Sequence, residues 1–466
     1  MPESIFVQVG QCGNQVGTRF WNWAGEEAKE IISHKHGQIK TTLDSFFKSS
    51  ENAFDGKDTP KARAVLVDME EGVINSIMRE KKYADMFDKR LQVTDVSGSG
   101  NNWACGFYEY GKSHGKKIRH AIRKAAEDCD CLESFFLLHS VGGGTGSGLG
   151  SYAMTICADE YPDVLRFVFP IYPSDDDDVV TSPYNSVLST HYLTENATCV
   201  FPQSNQSLCS LINRSKLNLL TKDSTLTQSS AKAASKRRAA SGSQPSKPFD
   251  LMNDMIAQFI LNLTACARFE GPLNLDLSDV ATNMVPFPKL LYLMSSQAPI
   301  AGAPGPFSLK VESLFEEAFS AKNQLFGSSD VHINGLQLAN GLLCRGNIQA
   351  SEIRNGVARL SRKNRLVSWN PDGWKTGQCS VGPLTSSAPS VVVALSNSTS
   401  AGKSFETMKG RFQSLFAHRA YIHHYERVGM EKSEISDAIE SLNTVIEGYK
   451  SAEIMDNTAV LHTKVL

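Results

Sequence analysis

Apolar runs and amphipathic segments alternate along the first half of the chain. Residues 5–9, 64–67 and 135–138 form short, nearly continuous apolar runs, which are typical of strands buried on both faces of a sheet. The segment at 149–156, in contrast, carries its apolar residues at helical spacing. Through about residue 220 this pattern predicts an α/β fold, in which helices cover both faces of a mostly parallel, Rossmann-like sheet.

The second half of the chain has a different pattern. A long helix is predicted from Phe249, and apolar runs at 336–344 and 390–395 predict a second, mixed sheet. Apolar positions recur at helical spacing across 405–416 and 435–449, so two helices close the chain. We therefore expect a nucleotide-binding part at 1–248, an intermediate α+β domain with its preceding core helix at 249–398, and a helical region at 399–466.

The composition is that of an ordinary soluble protein. The 466 residues carry a net charge of −2, with 41% hydrophobic and 21% charged residues, which gives no general attraction to nucleic acid or membranes. The ten cysteines include no Cys-x-x-Cys pair, so we expect reduced thiols in the cytoplasm. No apolar stretch reaches the roughly 18 residues of a membrane span, and the first residues do not begin a signal peptide.

Residues 221–248 interrupt the alternation. The segment is rich in Ser, Thr and Ala, and it contains six basic residues but only one Asp. Because it can bury little apolar surface, we expect a basic, disordered insertion. Two interpretations stay open: a solubilising loop without a partner, or a loop that binds an acidic tail.

The most informative motif is the heptapeptide Gly-Gly-Gly-Thr-Gly-Ser-Gly at 142–148. It lies between the apolar run at 135–138 and the predicted helix at 149–156. A glycine-rich turn in that position directs backbone N–H groups and the positive end of a helix dipole at a phosphate. We therefore predict a nucleotide site, since the alternative, a flexible linker, is seldom placed between a buried strand and a helix.

The motif lacks the features of the two commonest phosphate-binding signatures. No Lys follows the glycines, as a P-loop requires, and no acid lies in 147–157, as a dinucleotide site would want. Residues 142–148 do match the signature loop of the tubulin and FtsZ superfamily of GTPases. Residues 10–15, Gly-Gln-Cys-Gly-Asn-Gln, resemble the first nucleotide loop of eukaryotic tubulins. A Rossmann-type oxidoreductase is the disfavoured alternative.

The resemblance implies that three loops hold the phosphates of GTP or GDP. Residues 97–103 resemble the loop that senses the γ-phosphate, beside the loops at 10–15 and 142–148. Cys12 has an alternative interpretation as a small buried apolar residue. The implied contacts are Gly10, Gln11, Cys12, Gln15, Ser99, Gly100, Asn101, Ser140, Gly142, Gly143, Gly144, Thr145 and Gly146.

The resemblance also implies contacts to the base. Asn205 and Asn253 match amides that read guanine, and an amide offers both the donor and the acceptor that this base demands. Phe249 matches the ring that stacks on the base.

The loop that reaches the ribose differs from that of wall-forming tubulins. Ser182 stands where those tubulins carry an acid. We therefore expect the ribose contact either to shift to Asp177 or Asp178 or to be weaker. For Asp175 and Asp176, an ordinary solvated loop is an equal alternative.

Two acids follow the apolar run at 64–67. Asp68 and Glu70 match residues that approach Mg²⁺ in tubulins, usually through water, and this ion prefers oxygen ligands. Asp68 has an alternative role as the N-cap of a helix that contains Val73 and Ile74.

Departures from wall-forming tubulins narrow the resemblance. Besides the insertion and Ser182, a lateral loop at 301–306 is rich in Gly and Pro, and residues 451–466 contain only two acids. With the motifs at 97–103 and 367–376, these features make the chain most similar to the epsilon class of tubulins. Membership implies a cytoskeletal protein of centrosomes, centrioles and basal bodies that serves doublet and triplet microtubules. The implied partners are delta-tubulin, alpha- or beta-tubulin, and centriolar proteins.

For GTP hydrolysis, the sequence offers two candidate acids. Asp279 matches the position of a catalytic Glu in alpha-tubulin, on the face opposite the chain's own nucleotide. It would orient water at the γ-phosphate of the next subunit, with Asp276 assisting. An exposed Asp on a helix can also be only a solvated charge. The open alternatives are a GTPase that acts in trans and a pseudo-GTPase that binds nucleotide without hydrolysing it.

Overall fold

The structure is a computed structural model that describes residues 2–34, 44–48, 60–174, 177–223, 248–269, 271–300, 311–327, 335–383 and 388–465. Several sequence-based expectations concern residues outside these described ranges. The insertion is described only at its first residues and at its last, which belong to helices, and the lateral loop at 301–306 lies outside the described residues, as do Asp175 and Asp176.

A seven-stranded sheet forms the N-terminal part of the fold. Its strand order is β5-β4-β1-β6-β7-β8, with β9 also paired to β7, and every one of these pairings is parallel. A short hairpin, β2-β3, lies beside it. The strands are β1 (Glu3–Val9), β2 (Phe47–Lys48), β3 (Lys61–Ala62), β4 (Ala64–Asp68), β5 (Gln92–Thr94), β6 (Leu132–Ser140), β7 (Leu165–Tyr172), β8 (Cys199–Val200) and β9 (Gln203–Ser204).

Helices cover both faces of this sheet. They are α1 (Gly10–His34), α2 (Glu71–Arg79), α3 (Lys81–Met86), α4 (Gly111–Glu127), α5 (Gly150–Glu160), α6 (Ser182–Asn196), α7 (Asn205–Asp223), α8 (Pro248–Leu263) and α9 (Ala265–Arg268). Successive residues of a strand point to opposite faces, so Val7 lies in the same buried cluster as Ile118 of α4, whereas Phe6 stacks on Phe20 of α1. Burial on both faces explains the continuous apolar runs in the sequence, and the predicted α/β fold is confirmed.

A second sheet follows, with the order β10-β13-β11-β12. The β10–β13 and β11–β13 pairs are antiparallel and β11–β12 is parallel, so this sheet is mixed, as predicted. Its strands are β10 (Leu293–Ala298), β11 (Gln337–Gly346), β12 (Trp374–Cys379) and β13 (Ser390–Ser398). The associated helices are α10 (Leu277–Met284), α11 (Val311–Ala318) and α12 (Ala350–Lys363).

The chain closes with α13 (Ser400–Ala417), α14 (Ile422–Glu426) and α15 (Lys432–Val465). The first and last of these are the two helices that the sequence predicts. They pack on the N-terminal part through aromatic side chains, as in the contact between the rings of Tyr184 and Phe412, whose centroids are 5.2 Å apart. Among the described residues, no helix has the length and apolar character needed to cross a bilayer.

A buried ion cluster joins the two sheets. Glu27 of α1 contacts Nη1 of Arg268 at 2.7 Å and Nη2 of Arg345, in β11, at 2.5 Å, and all three residues are at most 4% exposed. Arg345 also donates to Oδ1 of Asn262 in α8, at 3.1 Å. Because two guanidinium groups are buried around one carboxylate, Glu27 is the charge on which this junction depends.

We expect Glu27→Gln to lower the free energy of unfolding by about 3–5 kcal/mol, because it leaves two buried cations without their counter-charge. The matched control is Glu26→Gln, since the neighbouring Glu26 forms an exposed pair with Lys82 at 3.2 Å. An exposed pair of this kind is worth at most about 1 kcal/mol. Urea unfolding of both variants makes the comparison, and equal effects would contradict the role assigned to Glu27.

Candidate functional site

The predicted phosphate loops lie at one edge of the parallel sheet. Strands β1, β4, β5, β6 and β7 all run in the same direction, so the loops that follow them meet at their carboxyl ends. In an open α/β sheet, ligands bind outside that edge. The arrangement brings together residues 10–15, 68–70, 97–103 and 140–148.

Of the three phosphate loops, the first is 10–15, the second is 97–103 and the third is 142–148. The first and third loops touch through their backbones. Gly10 has a φ of +73°, and a Cβ there would lie 3.0 Å from the backbone N of Gly146. Nδ2 of the buried Asn14 donates to Gly10 O at 2.9 Å and to Val67 O at 3.1 Å, which ties the first loop to the end of β4. Glycine is therefore required at position 10 by both conformation and space.

The second and third loops are joined by side chains. Oγ of Ser99 and Oγ1 of Thr145 lie 2.8 Å apart, and a Cβ on Gly144 would lie 2.6 Å from Asn102 N. Within this site the left-handed conformations fall at Gly100 and Asn101, each with a φ of 55°, and at Gly10. The glycines of the third loop thus serve close packing rather than unusual φ.

Gly143 is the exception to this close packing. The nearest atom to a Cβ built on Gly143 is Ser140 Oγ, at 3.7 Å. A Cβ there would make only ordinary van der Waals contacts, and Gly143 is partly exposed, so a ligand can approach its backbone.

Asn185, near the start of α6, holds two of the loops together. Its Nδ2 donates to Asn101 O and to Gly142 O, both at 2.8 Å, and its Oδ1 accepts from Trp103 N at 3.0 Å. Asn185 is absent from the sequence-based set of site residues. The only signal was its position in the Pro-Tyr-Asn motif that opens α6.

A buried histidine lies beneath the third loop. Nδ1 of His139 and Gly146 O are 2.9 Å apart, and the side chain has no exposed surface. Burial lowers the pKa of His139 from 6.5 to about 4, so the ring is neutral at neutral pH and Nδ1–H donates to the loop. This residue, too, is missing from the sequence-based set.

The two predicted metal ligands lie beside the second loop. Asp68 is 2% exposed, and its Oδ2 has no hydrogen-bond partner. Burial, with a smaller contribution from the charge of Glu70, raises the pKa of Asp68 to about 7. The exposed Glu70 carboxylate lies against Gly98. The N-cap of α2 is Glu70, so the alternative role of Asp68 as a helix cap is wrong.

This pair of acids fits Mg²⁺. The described residues contain no cluster of three or more potential ligands among His, Cys, Asp and Glu. Mg²⁺ is usually held by one or two carboxylates, several waters and substrate phosphates, so a larger protein cage is not required. The unpartnered Oδ2 of Asp68 is the group whose burial a cation would compensate.

The residues predicted to contact the base lie at helix starts. Phe249, in the first turn of α8, is 63% exposed, and Asn205 is the half-buried first residue of α7. Nδ2 of Asn253 donates to Gln15 Oε1 at 3.2 Å, which links the base-contact helix to the first loop. An exposed aromatic ring at this position is available for stacking.

The remaining predicted residues take different positions around the site. Ser182 is buried and its Oγ donates to Oδ2 of Asp177 at 3.0 Å, while Asp177 and Asp178 are exposed. The serine that replaces the expected acid is thus in contact with a predicted ribose ligand. Gln11 is exposed, and burial raises the pKa of the Cys12 thiol to about 12, so that thiol stays protonated.

Asp276 and Asp279 are not at this site. The charge of Asp276 acts on Glu133, near the start of β6, whereas the third loop follows the other end of that strand. Seven residue steps of about 3.3 Å separate the two ends by roughly 20 Å. Asp276 is the exposed N-cap residue of α10, and Oδ1 of Asp279 contacts Lys375 Nζ at 3.4 Å. These acids therefore lie at the opposite edge of the sheet.

Comparison with known proteins agrees with this geometry. A model of the Tubulin/FtsZ family, GTPase domain, matches residues 3–213, and a model of the tubulin C-terminal domain matches residues 288–409. The chain is similar to the tubulin epsilon chain of Homo sapiens, with 42% identity over 99% of this chain and 98% of that protein. It is also 42% identical to the tubulin epsilon chain of Mus musculus, over 97% of this chain and 96% of that protein.

We expect His139→Gln to reduce the sensitivity of the fold to acid. The unfolded chain takes up a proton near pH 6.5 and the native chain near pH 4, so the contribution of the neutral ring is complete above pH 6.5 and is lost as the pH falls. Between pH 7.5 and 5 the stability of the wild type should fall by about 2 kcal/mol more than that of the variant.

Urea unfolding at the two pH values measures this difference. His120→Gln, on the exposed face of α4, is the control and should behave as the wild type. The same loss of stability in His139→Gln as in the wild type would show that His139 does not stay neutral in the fold.

Proposed function

This chain belongs to the tubulin family and is of the epsilon type, and we propose that it binds GTP or GDP with Mg²⁺ at the carboxyl edge of the parallel sheet. One observation carries the proposal. Three glycine-containing loops from separate parts of the sequence meet there: the Ser99–Thr145 and Asn185 contacts join the loops at 97–103 and 142–148, and Gly10 of the first loop packs on Gly146. The backbone of Gly143 stays partly exposed among them. Guanine nucleotide binding is what the GTPase domain of this family implies.

The phosphates, the metal, the base and the ribose are each bound by a different group of residues in the proposed site. Backbone N–H groups of the loops at 10–15, 98–101 and 142–146 receive the phosphates, because successive N–H groups form an anion-binding surface. Asp68 and Glu70 hold Mg²⁺, which when bound offsets the charge of the β- and γ-phosphates. Phe249 stacks on the base, Asn205 and Asn253 read its edge, and Asp177 or Asp178 receives the ribose.

For hydrolysis, we propose Asp279 as the group that acts in trans on the nucleotide of the next subunit, with Asp276 assisting. The position of both acids at the far edge of the sheet supports this role, because that edge faces away from the chain's own nucleotide. The contact with Lys375 can hold the Asp279 carboxylate in place. It also favours the second candidate function, a pseudo-GTPase, because a paired carboxylate is a weaker acceptor for a proton from water.

The cellular role follows from the epsilon type. We propose a structural or assembly role in the microtubules of centrioles and basal bodies, in particular in doublets and triplets. Other tubulins, delta-tubulin first among them, would be longitudinal partners. Similarity to tubulin epsilon chains over nearly the whole chain supports this assignment.

Nucleotide identity tests the main proposal. Denaturing the pure protein should release guanine nucleotide, which liquid chromatography identifies. Gly143→Val should weaken GTP binding at least about 100-fold, because its side chain enters the space left open for the ligand while no protein atom blocks a Cβ there. Gly410→Val, at an open position on α13, is the control and should bind as the wild type does. Release of adenine or nicotinamide nucleotide would contradict the proposal.

A turnover assay separates the two hydrolysis hypotheses. In complexes assembled with the tubulin partner, Asp279→Ala should reduce GTP turnover at least about tenfold if the carboxylate orients the attacking water. The control is Asp159→Ala, at an exposed acid of α5. Unchanged turnover on the partner's nucleotide would remove Asp279 from catalysis and favour the pseudo-GTPase.

A further inference from the structure

The short helix α14, between the two C-terminal helices, touches the phosphate-loop framework. Nδ2 of Asn102 donates to the backbone O of His424 at 3.0 Å. The hydroxyl of Tyr425 donates to Oδ1 of Asn185 at 2.6 Å, and the Tyr425 side chain is 1% exposed. One hydrogen bond thus connects α14 to the second loop directly, and the other connects α14 to the Asn185 amide that holds this loop.

The Asn185 side chain has no spare hydrogen-bonding capacity. An amide offers two N–H donors and an oxygen with two lone pairs. Here the donors go to Asn101 O and Gly142 O, and the acceptor receives Trp103 N and the Tyr425 hydroxyl. Because Asn185 has no exposed surface, water cannot replace a lost partner. Displacement of either loop must therefore break a bond or move Tyr425.

The segment around α14 is held in an unfavourable backbone conformation. Arg419 and Tyr421 have φ values of 49° and 60°, which residues with a Cβ seldom adopt. Contacts of the segment must offset that cost, and the bonds to Asn102 and Asn185 are two of them. On its outer side, Tyr421, His423 and His424 are exposed.

We propose that Asn185 is a positioning residue for the nucleotide site and that, through Tyr425, it couples the occupant of the loop at 98–101 to α14. A γ-phosphate bound at that loop fixes Asn101 and, through the amide of Asn185, the Tyr425 hydroxyl. With a diphosphate the loop loses this constraint, and α14 opens more often. The exposed residues Tyr421, His423 and His424 then form a surface that differs between nucleotide states. The inference rests on the proposed guanine nucleotide site.

Hydrogen exchange with mass spectrometry tests the coupling on the full chain with Mg²⁺. In the wild type, amides of residues 421–426 should exchange at least about fivefold more slowly with a non-hydrolysable GTP analogue than with GDP. Tyr425→Phe should remove this difference and leave the affinity for the analogue within about threefold. Asn185→Asp, which has the same shape but cannot donate, should also weaken the affinity about tenfold or more.

The controls are matched in residue type, and Tyr449 is also as buried as Tyr425. Tyr449→Phe removes a buried hydroxyl that bonds Asn397 Oδ1, and Asn196→Asp changes an amide at the far end of α6. Both should keep the exchange difference, although each can lower overall stability. If Asn185→Asp does not fold, Tyr425→Phe decides the question.

The two proposals fail in different ways. Tight binding of guanine nucleotide with equal exchange of residues 421–426 in both states, or an exchange difference that survives Tyr425→Phe, overturns the coupling alone. Absence of any guanine nucleotide binding by the wild type overturns the proposed function and the coupling together.

Discussion

The hydrogen bonds of one buried amide, that of Asn185, are the interaction on which the candidate site depends. Parallel strands bring the loops to the same edge of the sheet, but strand geometry alone does not fix the distance between two flexible, glycine-rich loops. The amide sets that distance by donating to a backbone oxygen of each loop. The Ser99–Thr145 contact and the two hydrogen bonds that Asn14 donates to Gly10 O and Val67 O complete the framework.

Glycine has two different roles in this framework. At Gly10 and Gly100 the backbone takes left-handed conformations that favour glycine. In the third loop the glycines let backbone segments approach one another, as Gly144 does beside Asn102 N. Gly143 has neither role, and its partly exposed backbone is where we propose that the phosphates bind. A site of this kind is formed in advance and needs little rearrangement to bind a phosphate.

Much of the fold could be predicted from the sequence because local pattern and burial agree. The continuous apolar runs predict parallel strands, and the strands are parallel, with both faces of the sheet covered by helices. Asp68 and Glu70, the proposed Mg²⁺ ligands, could be suggested from their place after a buried strand. The roles of Asn185, His139 and Tyr425 could not be predicted, because each depends on partners that are distant in sequence. Nothing around His139 in the sequence, for example, indicates that Gly146 O will accept a hydrogen bond from its Nδ1.

The edge of the sheet opposite the phosphate loops bears on the proposed hydrolysis of GTP. Asp279 and Asp276 lie about one strand length from the chain's own phosphate loops, a separation that fits the proposed role in trans. The Glu27 cluster joins α1 to the second sheet, and thereby connects the loop-bearing part of the fold to the part that carries these acids.

The measurement that tests the central claim most directly is calorimetric titration of the nucleotide-free chain with GTP and with ATP, each with Mg²⁺ and with EDTA. The account predicts one GTP site per chain, tighter binding with Mg²⁺ than with EDTA, and little binding of ATP. Equal affinity for ATP, or GTP binding that Mg²⁺ does not strengthen, would contradict the assignment of this edge as a guanine nucleotide and magnesium site.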